Sequence, residues 1–368
     1  MKIGIDARLI DETGVGRYIR NLIGNLGETD TKHRYVVFLR KKSYSTFRLP
    51  NVRWEKRLAD VPWHTMLEQL VMPWFYLRER VDLVHIPYFN IPIFYPKAFV
   101  VTIHDLIILH FNTGKATTLP IWRYQIRRFG YWLILKIGLH RAKFIIAVSQ
   151  TTKKEIVSHF HVPEANIVVT YEGVDTNIKY QIANSKKEKR LIDAPYFLYV
   201  GNAYPHKNIE VLLKAFEQIP THCKLVLVGR NDFFYQRLRE KISSRPLTDR
   251  VVFFGEANDD QLSGLYAYAV ALVFPSLMEG FGLPPLEALA SGCRVIASDI
   301  PVFREILGDL PRYVDSSDAA QLAQAMIDSL HQTPDKQWAQ RARDHAKRFR
   351  WVRMAEKTQA VYERSIGV

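Results

Sequence analysis

Short runs rich in β-branched and aromatic residues alternate with amphipathic helical stretches from one end of the chain to the other. No other feature constrains the fold as strongly. Strands that each give way to a helix are joined by crossovers, so they lie parallel in a sheet with helices on its faces. In the first half the spacing predicts strands at 2–6, 35–39, 52–55, 83–85, 99–104, 144–148 and 167–169, with helices near 16–26, 63–80, 119–140 and 151–160. Between Gly173 and Pro195 the pattern dissolves into polar sequence carrying the charge run Lys186-Lys187-Glu188-Lys189-Arg190. Strands resume at 196–200, 224–228, 251–254, 271–274 and 294–297, with helices at 208–219, 261–268, 319–330, 335–349 and 351–366. A chain of 368 residues exceeds what one core usually serves. The expected architecture is α/β: two doubly wound Rossmann-like domains, 1–175 and 196–350, a linker 176–195, and a terminal helix within 351–368 crossing back to the first domain. Ligands of such sheets lie at the carboxyl ends of the strands, so functional residues are sought there.

Lys and Arg number 51 against 37 acidic residues, a formal charge of +14. Such a balance suits polyanionic surroundings (nucleic acid, anionic lipid, phosphorylated substrates) or a solubilising surface. No helix-turn-helix, zinc or RNA-binding signature accompanies the charge, which argues against nucleic acid as the partner. Cys223 and Cys293 are too few for a disulfide framework and are expected to be reduced thiols of a cytoplasmic protein. The start MKIGIDARLI has no long apolar stretch of the signal-peptide kind, and no window reaches the roughly 18 apolar residues of a membrane span.

The most informative segment runs from Phe274 to Gly292. A strand ends at Phe274, a glycine-punctuated loop follows, and a helix begins near Pro284, proline being at home in a first helical turn. The amides of Phe281, Gly282 and Leu283 precede that turn and, with the helix dipole, form an anion site. Gly280 and Gly282 let the backbone approach a ligand. Glu279 and Glu287 bracket this site, and a carboxylate can accept hydrogen bonds from two vicinal hydroxyls. A diphosphate flanked by hydroxyl-binding carboxylates has the layout of a nucleotide sugar; acids capping a helix would read the same way in isolation. Lys207 stands directly before a predicted helix, where a cation is unfavourable unless an anion compensates it. His104 ends an otherwise apolar strand with Asp105 beside it.

The E-G-F-G-x-P-x-x-E pattern at 279–287 resembles the donor-binding signature of the GT-B retaining glycosyltransferases of family 4. Gly14-Val-Gly-Arg-Tyr18 resembles that family's N-terminal glycine loop, Thr102-Ile-His-Asp-Leu106 its His-Asp strand end, and Ala147-Val-Ser149 a later strand end. Glu172-Gly-Val-Asp175 resembles the segment leaving the first domain, and the run from Tyr199 to Asn208 the phosphate-contacting turn. The resemblance implies two domains facing an interdomain cleft, the first binding the acceptor and the second the nucleotide sugar. It implies that His104, Lys207 and Glu279 act at the reacting sugar, Lys207 neutralising the departing diphosphate. The implied donor-binding set is Gly14, Gly16, Gly201, Asn202, Lys207, Gly229, Glu256, Gly280, Phe281, Gly282, Leu283 and Glu287, with Glu287 on the ribose and Glu256 in the loop rimming the base. No metal or cofactor is implied.

Two positions depart from the pattern. Asn202 follows Gly201 where relatives often carry a diphosphate-binding arginine, leaving His206, Arg17 or Arg230 as replacements. Glu172 stands where relatives often have asparagine. The implied reaction is retaining, by front-face attack with the leaving phosphate accepting the acceptor's proton. The closest family likeness is to bacterial mannosyl- and rhamnosyltransferases of cell-surface polysaccharides, so GDP-mannose is the first expectation; UDP- and dTDP-sugars, or an epimerase on the same fold, are alternatives. Asp259 and Asp260 are expected to cap the helix 261–268 rather than bind metal. Aromatics mixed with cations at 122–136 and at Trp63, Trp74, Phe75, Tyr76 and Arg78 suggest a lipid-linked or glycan acceptor met at an anionic membrane surface, or a first-domain core with wet arginines.

Overall fold

A computed structural model describes residues 1–63, 65–111, 121–174, 190–220, 222–243, 246–333 and 335–367. The charge run at 186–189 therefore lies outside the described residues, as do the side chains of Trp122, Arg123, Tyr124 and Arg127. Two compact units result, one from 1–110, 121–173 and 350–367, the other from 174–349 with Phe111.

The first unit contains strands β1 (Lys2–Asp6), β2 (Arg34–Leu39), β3 (Trp54–Leu58), β4 (Leu83–Ile86), β5 (Phe99–Ile103), β6 (Phe144–Ala147) and β7 (Ile167–Val169). Its helices are α1 (Gly14–Thr29), α2 (Lys41–Tyr44), α3 (Met66–Arg78), α4 (Ile107–His110), α5 (Ile121–Arg141) and α6 (Gln150–Phe160). The strands pair in parallel in the order β3-β2-β1-β4-β5-β6-β7. Winding reverses between β1 and β4, and the loop entering α1 rises from that point. β4 and β5 are buried along their whole length, which is why they read as unbroken apolar runs. Strand β3 lies two residues later than the sequence spacing places it, because Val52 faces solvent while Trp54 stacks on Tyr35 at 4.1 Å.

A buried ionic group anchors α3 to the end of β1. Arg8 donates to both carboxylate oxygens of Asp6 (2.8 and 2.6 Å), to the Val61 carbonyl (3.0 Å) and to Glu68, whose carboxylate also accepts from Asn90 (2.8 Å). The outer side of α3 presents Met66, Leu67, Leu70, Trp74 and Leu77 to solvent, and α5 presents Ile126, Phe129 and Leu133. Both helices hold the same loop. Gln69 of α3 donates to Ile91 O (3.1 Å), Arg141 of α5 donates to Tyr95 O (2.7 Å), and the exposed Phe94 lies in that loop. Of the aromatics named from the sequence, Trp74 is exposed under Arg78, while Tyr76 is buried and donates to Asp6 at 2.9 Å. Among the described residues no helix is long and apolar enough to cross a membrane.

The second unit contains β8 (Tyr196–Val200), β9 (Lys224–Val228), β10 (Val251–Gly255), β11 (Ala271–Phe274), β12 (Val295–Ser298) and β13 (Arg312–Val314). Its helices are α7 (Ile209–Phe216), α8 (Phe233–Ser243), α9 (Asp259–Tyr268), α10 (Leu283–Ser291), α11 (Pro301–Leu307), α12 (Ala319–His331) and α13 (Lys336–Ala346). The parallel order is β10-β9-β8-β11-β12-β13, so winding reverses between β8 and β11. Strand β13 and helices α8 and α11 have no counterpart in the sequence reading. Asn258, not Asp259 or Asp260, caps α9: its side chain accepts from Gln261 N while the Gln261 side chain accepts from Asn258 N. The last helix, α14 (Trp351–Ser365), belongs to the first unit and packs on α1. Its Tyr362 hydroxyl meets His85 Nδ1 at 2.6 Å and its Arg364 covers Phe144.

Candidate active site

The loops after β8 and β11 flank the reversal point of the second sheet, and Lys207 and Glu279 lie on them. After β8 the chain makes a 3-10 turn, Pro205–Lys207, before α7 begins at Ile209. Asn208 between them has φ +58°, and its side-chain amide donates to Pro275 O (3.2 Å) and Ser316 O (2.6 Å). Leu277 N donates to His206 O at 2.8 Å. These bonds stitch the β8 loop to the β11 loop and aim Lys207 at Glu279.

Lys207 Nζ donates to Glu279 Oε1 at 2.6 Å, Ser276 Oγ donates to the same oxygen at 2.7 Å, and the ammonium lies 5.4 Å from the centre of the Phe274 ring. The compensating anion that a lysine before a helix requires is therefore Glu279. With side chains 13% and 9% exposed, the pair feels little solvent screening. Neighbouring His206 is pushed down to about 4 by burial and then by the Lys207 charge, so it is neutral at pH 7. It does not stand in for the arginine missing at Asn202.

Helix α10 starts at Leu283 with Gly282 as its N-cap at φ +94°, and a Cβ there would sit 2.7 Å from Phe303. Pro284 and Pro285 carry no N–H, so Leu283 supplies the first amide of the helix. Glu287 lies one turn on, buried, with Oε2 accepting from the Tyr266 hydroxyl of α9 at 3.1 Å. At the ends of β8, β9 and β10, Gly201 N donates to Val228 O (2.9 Å) and Gly229 N to Gly255 O (3.0 Å). Gly229 has to be glycine, because a Cβ would lie 2.2 Å from the Gly201 carbonyl oxygen. Tyr199 and Tyr235 hydroxyls donate to Asn202 O and Gly201 O, fixing that turn. Glu256 follows Gly255 and is exposed.

The other candidates belong to the first unit. Gly16 is buried in the first turn of α1, where a Cβ would meet the Ile10 carbonyl oxygen at 2.4 Å; Gly14 is exposed at the helix start. His104 follows β5. Its Nε2–H donates to Pro87 O at 3.0 Å, its Nδ1 lies 2.9 Å from Glu172 Oε1, and the Tyr18 ring meets it edge-on at 4.8 Å. Asn208, Ser276 and Tyr266 are polar partners to which the sequence assigns no individual role. Only Asn208 carries a local signal, as an asparagine between a turn and a helix.

Comparison with known proteins gives the class. Residues 13–178 match the family model Glycosyltransferase Family 4, and residues 181–345 match Glycosyl transferases group 1. The chain is similar to the O-antigen chain mannosyltransferase RfbU of Salmonella typhimurium, 31% identical over 303 residues that cover 81% of this chain and 80% of that one. It is also similar to O-antigen chain mannosyltransferase B of Escherichia coli, 28% identical over 78% and 76% of the two chains. The chain belongs to this family of glycosyltransferases. Solved structures agree on the fold. A sucrose-phosphate synthase from Thermosynechococcus elongatus superposes with TM-score 0.80 at 22% identity over 99% and 98% of the chains, and Anabaena HepE with UDP and glucose gives 0.74 at 18% over 99% of each.

Proposed function

We propose that this glycosyltransferase transfers mannose from GDP-mannose, with retention and without a metal, to a lipid-linked glycan in cell-surface polysaccharide synthesis. The observation that carries the reading is the Lys207–Glu279 pair, held at the reversal point of the second sheet beside the start of α10. A diphosphate seated on the Leu283 amide and the positive end of α10 draws the Lys207 ammonium to itself. Glu279 then accepts from sugar hydroxyls, and Glu287, steadied by Tyr266, from the ribose. As the anomeric C–O bond breaks, charge grows on the phosphate, where a preorganised ammonium and amide stabilise it most. The leaving phosphate oxygen takes the proton of the attacking hydroxyl, so no protein nucleophile is required. Mannose is supported by the mannosyltransferase names of the relatives above, and GDP by the exposed Glu256 carboxylate, an acceptor for guanine N–H groups.

The acceptor side is supported by the apolar stripes of α3 and α5 on either side of Phe94. Arg78, Arg80, Lys97, Lys136 and Arg141 are exposed around them, while Glu68, the one acid of α3, is turned inward to Arg8. Apolar side chains ringed by cations fit the interface of an anionic bilayer, where such an acceptor would be presented. Thermal-shift screening against GDP-, UDP- and dTDP-sugars tests the donor. The expected result is stabilisation by GDP and GDP-mannose above all others; a larger shift with a UDP- or dTDP-sugar would displace mannose from GDP as the donor.

A further inference from the structure

Glu279 has a second donor, Ser276, to which the proposed reaction gives no part. Ser276 is fully buried, and its hydroxyl donates to Glu279 Oε1 at 2.7 Å, the same oxygen that Lys207 Nζ meets at 2.6 Å. A serine hydroxyl has one hydrogen, and here it is spent on Glu279. Oε1 therefore accepts twice, while Oε2 accepts from no group among the described residues. The Glu279 side chain is 9% exposed, so bulk water does not make good a lost donor. The two donors are mounted differently. Lys207 reaches the carboxylate along a flexible aliphatic stem. Ser276 has a short side chain, and the backbone on both sides of it is fastened to the β8 loop: Pro275 O accepts from the Asn208 amide (3.2 Å) and Leu277 N donates to His206 O (2.8 Å). The ammonium can swing away, and the hydroxyl stays where it is.

We propose that Ser276 is a positioning residue for Glu279: it keeps Oε1 bound when Lys207 turns to the diphosphate, and leaves Oε2 as the oxygen that accepts a hydroxyl of the donor sugar. This rests on the reading of Glu279 as a sugar-binding residue, and every group it uses belongs to the second unit. Without the hydroxyl, a carboxylate in so little solvent has Lys207 as its one side-chain donor, and the ion pair holds together. A diphosphate then has to part the pair and leave an unpartnered carboxylate behind, free to rotate away from the sugar. With the hydroxyl, the ammonium can leave and the carboxylate keeps its place. Ser276 itself meets neither sugar nor phosphate, and no proton is transferred.

The test has one arm that needs no substrate. Ser276→Ala removes one oxygen and adds nothing, so the full-length variant should fold. Its melting temperature should drop in the wild-type background and hardly at all in a Glu279→Ala background, where the hydroxyl has no partner to lose. The second arm uses the nucleotide sugar that stabilises the wild-type protein most, together with its nucleoside diphosphate. Ser276→Ala should lower kcat/KM for the nucleotide sugar about 10-fold, the effect of losing a hydrogen bond to a charged group, while the Kd of the nucleoside diphosphate stays at the wild-type level. Ser276→Thr, which keeps the hydroxyl, should restore most of kcat/KM. A loop that has merely loosened behaves otherwise, because the same loop runs into the Gly282 cap and the Leu283 amide: binding of the diphosphate then falls as much as kcat/KM, and that result overturns the proposal. So does a drop in melting temperature of equal size in both backgrounds, or a wild-type kcat/KM in a folded Ser276→Ala protein while Glu279→Ala is impaired. If Glu279→Ala turns over normally, the reading of Glu279 fails and the proposal with it, and the melting temperatures still report whether Ser276 holds that carboxylate.

Discussion

At the scale of single residues, the site depends on backbone positions as much as on charges. Gly282 holds φ +94° at the entry to α10, against the ring of Phe303. Alanine there pays for both the left-handed backbone and the overlap. We expect Gly282→Ala to cost about 1–3 kcal/mol in urea unfolding and to weaken nucleotide binding further, because the α10 terminus shifts; unchanged unfolding and binding would mean that the loop is not strained. The E-G-F-G-x-P-x-x-E run was readable because turn glycines, helix prolines and carboxylates each have their own local chemistry. The partners of those residues were not. Glu172 and His104 are 68 positions apart, Lys207 and Glu279 are 72, and no periodicity links such pairs. Lys207 alone announced its need for an anion, by standing before a helix.

At the scale of elements, long amphipathic helices and fully buried strands were legible, and short or edge elements were not. Strand β13 has three residues, begins with the exposed Arg312 and pairs on one side, so nothing apolar marks it. Val52 looked like a strand residue but is solvent-facing; the stacking of Trp54 on Tyr35 sets where β3 begins. Helix α14 shows how one element is secured. Its Tyr362 meets His85, whose other nitrogen meets Thr102 (2.8 Å), which in turn contacts the Tyr18 hydroxyl of α1 (3.1 Å). Burial holds His85 down at about 3. Below the ordinary histidine value of about 6.5 the unfolded chain gains a proton that the fold refuses. The neutral ring therefore favours the fold fully above that value and loses its advantage as pH falls towards 3. Between pH 7.5 and 5 this amounts to about 2 kcal/mol. Urea unfolding of wild type and His85→Gln at both pH values should show a fall smaller by about that amount in the variant; equal slopes would mean that His85 is not held neutral.

At the scale of the molecule, two parallel sheets each reverse their winding once, and Lys207 and Glu279 lie in the loops beside the reversal of the second sheet. The net charge of +14 is unevenly useful: the cations around the exposed stripes of α3 and α5 have an apolar surface to work with. Flotation with vesicles containing phosphatidylglycerol should recover the protein at low salt and much less at high salt. The double variant Trp74→Glu/Phe129→Glu should stay with the soluble fraction while keeping its melting temperature. Binding that is indifferent to both substitutions would place the membrane face elsewhere or remove it.

In the function we propose, Lys207 stabilises the diphosphate as the sugar departs. The most direct measurement of this is the steady-state turnover of GDP-mannose by the wild-type protein and by Lys207→Ala, read as kcat and KM separately with the melting temperature as a check on folding. We expect kcat to fall about 10²- to 10³-fold, the effect of removing one anion-stabilising donor, with a much smaller change in KM. A folded Lys207→Ala protein that turns over the donor at the wild-type rate would contradict it.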